Sequence, residues 1–377
     1  MTERKNPALQ LEAATVLTNI TAGSSQQTTA VVKSGAVPHF IRLLQSGEEK
    51  LVEQSILALG NISCDGPGLR DIVINNGVVP PLLALIKPDT TVRFLLNVTW
   101  IISKLCQNKN SSPPFEMVKQ FIPTLAQLIE HSNKEVQAKA CWALSYLTDD
   151  GSNEQIQEVV NAGVVGRLIE LLNSKQQDLI IPSLGTLGNI VTGNDKHKDA
   201  VLQGNILACL VWLLRHANIS IAKSAAWVMS NIMAGNSQQI QMVIEAGCLQ
   251  PLINILLCRD EPKVQKEAAQ AVKNLTSHGT LKQINFLRHS RFLKPYTDLL
   301  ESEDDDTVIL VLEGLRKILD AAETDTFAEI VEDCGGLDKI RAIQCHENDI
   351  IMEMSMNMVE VYFVHVLVDL FPPWAYK

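Results

Sequence analysis

Asparagine recurs along this 377-residue chain at a nearly constant interval, and its side chain is suited to holding a peptide. Positions 19, 61, 104, 146, 189, 231, 274 and 317 lie 42 or 43 residues apart, and five of the eight carry Asn. These five are Asn19, Asn61, Asn189, Asn231 and Asn274. An amide offers both donors and an acceptor, so such a row can hold the backbone N–H and C=O groups of an extended peptide. The row predicts a peptide-binding surface.

Tryptophan stands four residues before three of these positions, at Trp100, Trp142 and Trp227. Residues i and i+4 share one face of a helix, so each ring is expected beside the row. An indole face stacks on the stem and cation of Lys or Arg. A single Trp is usually a core residue, but three in one register favour contact with a ligand. The predicted ligand is therefore a basic peptide.

A second marker with the same spacing defines the elements that position these side chains. It is found at Gly35-Ala-Val-Pro38, Gly77-Val-Val-Pro80, Gly163-Val-Val-Gly166 and Gly247-Cys-Leu-Gln-Pro251, each before a Leu-rich run. Glycine commonly ends a helix and proline commonly begins one. Each period therefore predicts a short helix, a Leu-rich second helix and a long Ala-rich third helix that carries the Asn row.

The period of 42 to 43 residues is that of an armadillo repeat. The predicted fold is all-α, a right-handed superhelical solenoid of about nine to ten armadillo repeats whose third helices line a concave inner wall. Residues 1–22 are expected to be the end of a truncated first repeat, residues 23–363 the repeat solenoid, and residues 364–377 a divergent C-terminal tail.

Composition argues against several classes of function. The formal net charge of −10 disfavours binding to nucleic acid or to an anionic membrane and is compatible with a basic polypeptide partner. The eight cysteines include no CxxC pair, as expected of reduced thiols in the cytoplasm or nucleus. The first seven residues lack the apolar core of a signal peptide, and no apolar run is long enough to span a membrane.

The sequence contains no motif that predicts catalysis. Cys345 and His346 are adjacent, which is not the geometry of a nucleophile and its base, and no HExxH, GxSxG or Walker loop occurs. The acidic run from Glu301 to Asp306 could hold a metal, although such a run is more often a solvated loop. We therefore predict no enzyme, no metal and no cofactor.

Five longer motifs resemble the importin-α (karyopherin-α) family. They are Asn97-Val-Thr-Trp100, Asn108-Lys-Asn110, Trp142-Ala-Leu-Ser-Tyr-Leu-Thr148, Leu187-Gly-Asn-Ile-Val-Thr-Gly193 and Cys334-Gly-Gly-Leu-Asp-Lys339. The resemblance runs from about Asn6 to about Phe363 and implies a nuclear-import adaptor. Its partners would be proteins that carry Lys/Arg-rich nuclear localisation signals, met in the cytoplasm and nucleus.

The resemblance also implies two peptide sites. The residues that match the major site are Asn19, Gly23, Thr28, Asn61, Asp65, Asn97, Trp100, Glu135, Trp142 and Tyr146. Gly23, Thr28 and Asp65 would hold the most important lysine of the signal. The residues that match the minor site are Asn189, Val191, Thr192, Trp227, Asn231, Glu267 and Asn274.

Several positions depart from the family pattern. Thr15, Leu57 and Gln270 stand where the family has Trp. Three lysines replace other family residues, Lys104 an Asn, Lys139 an Asp and Lys198 a Thr. Missing rings cost roughly 0.5 to 2 kcal/mol each, and new cations repel a basic ligand. We therefore expect weakened recognition in both sites.

The ends of the sequence carry further expectations. The family's basic N-terminal arm, which binds importin-β, has no counterpart here, so this chain is expected to be a divergent member that does not bind importin-β. Glu332 to Asn348 resembles the final repeat, which implies binding of the export factor. The alternative is a non-transport armadillo scaffold, or a competitor isoform that sequesters cargo.

Overall fold

The structure is a computed structural model that describes residues 6–108, 111–257, 261–288, 291–321 and 326–363. Helices and the turns between them make up these ranges, which contain no β-strand, so the all-α prediction is confirmed. The chain forms two compact units, Met1–Gly193 (unit 1) and Asn194–Lys377 (unit 2). The predicted tail, residues 364–377, lies outside the described residues.

Unit 1 begins with a single helix and continues as four groups of three. The helices are α1 (Pro7–Thr21), α2 (Ser25–Lys33), α3 (Ala36–Leu43), α4 (Glu49–Cys64), α5 (Pro67–Asn75), α6 (Val79–Leu83), α7 (Val92–Cys106), α8 (Phe115–Val118), α9 (Ile122–Leu128), α10 (Lys134–Thr148), α11 (Asn153–Asn161), α12 (Val164–Leu171) and α13 (Gln177–Thr192). The single helix α1 has the length of a third helix, as the prediction of a partial first repeat requires.

Unit 2 contains four further groups of three in its described residues. The helices are α14 (Asp195–Gln203), α15 (Ile206–Leu213), α16 (Ile219–Met233), α17 (Ser237–Glu245), α18 (Leu249–Leu256), α19 (Pro262–His278), α20 (Leu281–Arg288), α21 (Leu293–Asp298), α22 (Asp305–Asp320), α23 (Thr326–Asp333), α24 (Gly336–Ala342) and α25 (Asp349–Tyr362). The two units together give one partial and eight complete groups in the described ranges, which agrees with the predicted repeat number.

The turn between the first and second helices of a group explains the recurring glycine. Gly35 and Gly163 have φ angles of 79° and 75°, in the left-handed region that glycine adopts without strain. Asn205 takes the corresponding position between α14 and α15 with φ 63°. Asn is among the few other residues that tolerate this conformation, so the turn persists without the glycine.

The third helices form the centre of each unit. In unit 1 α4 packs between α1 and α7, and α10 packs between α7 and α13. Ile56, Leu59 and Ile62 of α4 are fully buried in these contacts. Complete burial of such a side chain contributes about 1.5 to 3 kcal/mol. Each third helix keeps one row of partly exposed side chains, which together we call the third-helix face of its unit.

The acidic run after α21 takes part in ion pairs. Lys266 lies 2.9 Å from a carboxylate oxygen of Asp304, and Lys339 lies 2.9 Å from one of Glu301. No cluster of residues suited to a metal ion occurs in the described parts of the chain. The geometry therefore agrees with a solvated loop that links neighbouring repeats through surface charges.

Candidate functional site

The third-helix face of unit 1 carries most residues of the predicted major site. Asn19 lies on α1 and Asn61 on α4, while Asn97 and Trp100 lie on α7. Three further members on this face, Glu135, Trp142 and Tyr146, all lie on α10. All of these side chains are partly or fully exposed among buried neighbours. The helical register therefore leaves them accessible to a ligand.

Asp65 provides a negative charge at one end of this face. It caps the C-terminus of α4, and its Oδ1 accepts a hydrogen bond of 2.6 Å from Ser25 Oγ. Ser25 is the first residue of α2, and α5 begins at Pro67, so two helix N-termini adjoin this carboxylate as well as the C-terminus of α4. Because Asp65 makes no ion pair with any described residue, the site is suited to a Lys or Arg side chain.

Gly23 and Thr28 shape this pocket in a way that the sequence did not reveal. Thr28 is only 1% exposed, and its hydroxyl donates to the carbonyl oxygens of Thr21 and Ser24 at 3.3 Å. A side chain at Gly23 would overlap the Gln27 amide, which closes the cap of α2. Thr28 therefore supports the wall of the pocket without reaching its surface.

Two asparagines of the row in unit 1 donate hydrogen bonds to the preceding third helix. Asn61 Nδ2 donates to Thr21 Oγ1 at 3.4 Å, and Asn189 Nδ2 donates to the carbonyl of Ser145 at 3.0 Å. The carbonyl oxygens of these two amides have no hydrogen bond with a described residue. Asn61 and Asn189 therefore have a structural role as well as the predicted one, and their side-chain oxygens remain available to a ligand.

Two aromatic side chains of α10 form a stacked pair. The ring centroids of Trp142 and Tyr146 are 5.6 Å apart, with an angle of 29° between the rings. Burial, assisted by the nearby Asp149 carboxylate, raises the pKa of the Tyr146 hydroxyl, so it stays a neutral donor. The pair presents an aromatic surface with one polar end to the third-helix face.

Trp100 is positioned by a glycine that sequence reasoning did not identify. Its ring covers Gly60 of α4, and a Cβ at Gly60 would overlap the six-membered ring. Gly60 directly precedes Asn61 in the register of the row. In the sequence, the signal for this contact was a glycine 40 residues before a tryptophan of the face.

We expect Gly60→Ala to weaken binding of a Lys-rich peptide by about 2-fold to 30-fold, because it displaces the Trp100 ring and removes its stacking. Anisotropy of a fluorescein-labelled peptide measures the affinity. Gly166→Ala is the matched control, since no heavy atom lies within 4 Å of a Cβ built there. Equal affinities of the two variants would show that Gly60 does not position the ring.

The residues that replace family residues in unit 1 differ in their effects. Thr15 has no aromatic ring to stack on a ligand. Its hydroxyl hydrogen is donated to the Leu11 carbonyl at 2.8 Å and is therefore not available to a ligand. Leu57 is half-buried where a larger ring was expected. Lys104 and Lys139 are half-buried on α7 and α10, and neither makes an ion pair with a described residue.

Three residues of the predicted minor site lie at the C-terminal end of α13 in unit 1. Val191 is fully buried, so its side chain does not reach a ligand. The Thr192 hydroxyl donates to the backbone carbonyl of Asn189 at 2.7 Å. Of the three, Asn189 and Thr192 remain accessible to a ligand.

The other members of the minor site lie in unit 2. Trp227 and Asn231 lie on α16, and Asn231 Nδ2 is buried without a hydrogen-bond partner in the described residues. Asn274 is engaged at both ends, because its Nδ2 donates to the Ser230 carbonyl at 2.8 Å and its Oδ1 accepts from Gln270 at 2.9 Å. Gln270, which stands where the family has Trp, thus removes an aromatic ring and also occupies the side-chain oxygen of Asn274.

Charge is also altered in unit 2. Burial raises the pKa of the half-buried Glu267 carboxyl, an effect that Lys223 and Lys266 oppose. Lys198 is only 6% exposed, and burial lowers the pKa of its ammonium, which Asp195 opposes. Because the side chain is nearly buried, Lys198 presents little of its charge to a ligand.

The three-helix groups and the polar third-helix face define an armadillo-repeat protein. The armadillo/β-catenin-like repeat model matches residues 24–64, 152–192, 194–234 and 236–277. A HEAT-like repeat model matches residues 92–147, and an atypical Arm repeat model matches residues 325–366. In the part of the chain that the structure describes, no helix is long and apolar enough to cross a membrane.

Comparisons that cover nearly all of this chain narrow the class to one family. The chain is 42% identical over 374 residues to importin subunit alpha-1a of Oryza sativa subsp. japonica, and this alignment covers 97% of this chain and 70% of that protein. It is 42% identical over 369 residues to importin subunit alpha-4 of Arabidopsis thaliana, covering 95% and 68%. The chain belongs to the importin-α family.

Solved structures agree on the fold. An engineered protein of 24% identity superimposes with a TM-score of 0.85 and covers 94% of this chain and 84% of its own. A designed armadillo repeat protein of 26% identity gives a TM-score of 0.59, covering 64% and 99%. The predicted armadillo fold is thereby confirmed.

Proposed function

We propose that this chain is a nuclear-import adaptor that binds Lys/Arg-rich nuclear localisation signals of cargo proteins on the third-helix face of unit 1. The family supports a transport role, acting between cytoplasm and nucleus. The observation that carries the proposal is the Asp65 carboxylate, which lies at the C-terminal end of α4 without an ion pair among the described residues. A peptide lysine placed there gains a charge-assisted hydrogen bond.

The rest of the face supports an extended peptide next to this lysine. Asn61 and Asn189 offer amide oxygens to backbone N–H groups, and Trp100 and Trp142 offer rings to basic side chains. These groups need no cofactor, and we propose no catalytic step. The exclusion of an enzyme therefore remains part of this proposal.

The proposal includes a lower affinity than that of an ordinary family member. Two rings are replaced at Thr15 and Leu57, and two cations are added at Lys104 and Lys139. Each cation, about 6 to 8 Å from a peptide lysine, repels it by about 0.5 to 2 kcal/mol before salt screening. Together these changes lower the affinity by roughly two decades.

A non-transport scaffold is the second candidate function. The bond from Gln270 to Asn274 favours it, because it closes part of the minor site in unit 2. Export-factor binding through the final repeat and the lack of importin-β binding stay predictions of the sequence resemblance.

Titration of a fluorescein-labelled Lys-rich peptide tests the proposal, and we expect saturable binding that Trp142→Ala weakens by about 2-fold to 30-fold. Trp212→Ala is the control, since Trp212 is 37% exposed on α15, a second helix of unit 2. Absence of binding by the unaltered chain, or equal effects of the two variants, would favour the scaffold.

A further inference from the structure

Lys104 and Lys139 occupy the middle of the third-helix face of unit 1. Lys104 lies in the last turn of α7, at the register of Asn61 and Tyr146. Lys139 lies on α10, two helical turns before Tyr146. Both side chains are half-buried. Both lysines thus belong to the exposed rows along which a peptide bound at Asp65 would run.

Two lysines of α19 in unit 2 show how charges on a third helix can be matched. Lys266 of α19 pairs with Asp304 at 2.9 Å, and Lys273 of α19 pairs with Glu313 of α22 at 3.0 Å. In each case the acid lies on or just before the neighbouring third helix. Lys104 has no such partner among the described residues, nor has Lys139.

The other residues named here in the exposed rows of α7 and α10 are mostly uncharged. Asn97 and Trp100 share the exposed row of α7 with Lys104, and Trp142 and Tyr146 share that of α10 with Lys139. Glu135 lies one turn before Lys139 but is exposed and makes no ion pair with a described residue. Half-buried cations without a counter-charge are stabilised when a ligand supplies one.

We propose that Lys104 and Lys139 make this face selective for peptides that combine a basic cluster with an anionic side chain, either a carboxylate or a phosphoserine. The proposal rests on the proposed function, because Asp65 must hold the basic cluster. It adds a requirement that the family resemblance does not imply. A purely basic signal meets repulsion at these lysines, whereas a mixed signal is attracted at both ends.

The spacing of the helices sets the position of the anionic side chain. Packed helices lie about 8 to 10 Å apart, and an extended peptide advances about 3.3 Å per residue. One repeat therefore corresponds to about three residues. Since α7 and α10 are the third helices one and two repeats beyond α4, the anionic residue belongs about three to six residues from the lysine at Asp65.

A peptide series tests this proposal by fluorescence anisotropy. The parent is a Lys-rich peptide, and derivatives carry one Glu or one phosphoserine about three to six residues from the basic cluster, on either side. We expect at least one position to bind the unaltered chain threefold or more tighter than the parent. Phosphoserine should exceed Glu there, because it carries about −1.5 to −2 charges at pH 7.

The double variant Lys104→Gln/Lys139→Gln should reverse this order. It should bind the purely basic parent several-fold more tightly and lose the preference for the anionic derivatives. The matched control is Lys33→Gln/Lys87→Gln, which makes the same charge change at exposed positions off the third helices. The control should keep the preference.

Two results would overturn the proposal while leaving the proposed function intact. One is that no anionic derivative binds more tightly than the parent, and the other is that the preference persists in Lys104→Gln/Lys139→Gln. Failure of the unaltered chain to bind the parent and every derivative would overturn the proposed function and this proposal together.

Discussion

Replacing Asp65 by Lys is expected to lower the affinity for a Lys-rich peptide by at least about 100-fold. The change removes a charge-assisted hydrogen bond worth about 1.5 to 3 kcal/mol and adds a cation that repels the same peptide lysine. A total of about 3 kcal/mol or more corresponds to that loss. Anisotropy titration at two salt concentrations measures it, because the repulsive part weakens as salt rises.

Asp89→Lys is the matched control for this experiment. Asp89 is exposed in the turn after α6, away from the third helices, so the variant makes the same change in net charge outside the face. We expect its affinity to stay within about threefold of the unaltered chain, since exposed charges more than a Debye length away are largely screened. Equal losses in both variants would mean that binding follows overall charge and not the Asp65 pocket.

Replacing Arg70 by Met is expected to lower the free energy of unfolding by about 3 to 5 kcal/mol. Arg70 lies on α5 with its side chain only 2% exposed. Its Nη1 donates to the carbonyl oxygens of Gln107 and Ser111 at 2.6 and 2.9 Å, and its Nε donates to Asp71 Oδ1 at 2.9 Å. Met fills similar volume but leaves these acceptors without a donor.

Urea unfolding followed by circular dichroism measures this effect, with hydrogen exchange of α5 and α7 as a local readout because repeat arrays can unfold in stages. Arg93→Met is the control, since the Arg93 side chain is 86% exposed and lies 3.9 Å from Glu53. Its effect should stay within about 0.5 kcal/mol. A loss no larger for Arg70→Met than for Arg93→Met would contradict a structural role for Arg70.

The periodic features of the fold could be predicted from the sequence because each repeat needs the same turn and the same helical register. Gly35 and Gly163 mark a turn that requires a left-handed residue, and Asn61 and Asn189 mark one register of the third helix. Helix order and turn position follow from such local requirements. The armadillo prediction was correct for this reason.

Side-chain contacts between repeats could not be predicted in the same way. Arg70 bonds to carbonyls 37 and 41 residues away, and Trp100 rests on Gly60, which is 40 residues earlier. Such contacts depend on how neighbouring repeats pack, which no single repeat specifies. Matching by motif also could not show that Thr28 and Val191 are buried. Burial depends on the same packing.

The hydrogen bonds of Asn189 have a consequence for the composition of a bound peptide. Its Nδ2 donates to the Ser145 carbonyl at 3.0 Å and to Thr148 Oγ1 at 3.1 Å. An amide nitrogen has two hydrogens to donate, so this side chain can offer a ligand only its oxygen. The peptide must then supply a backbone N–H opposite Asn189, which proline lacks. A signal sequence with proline at that point would therefore be discriminated against by its backbone alone, whatever its charge.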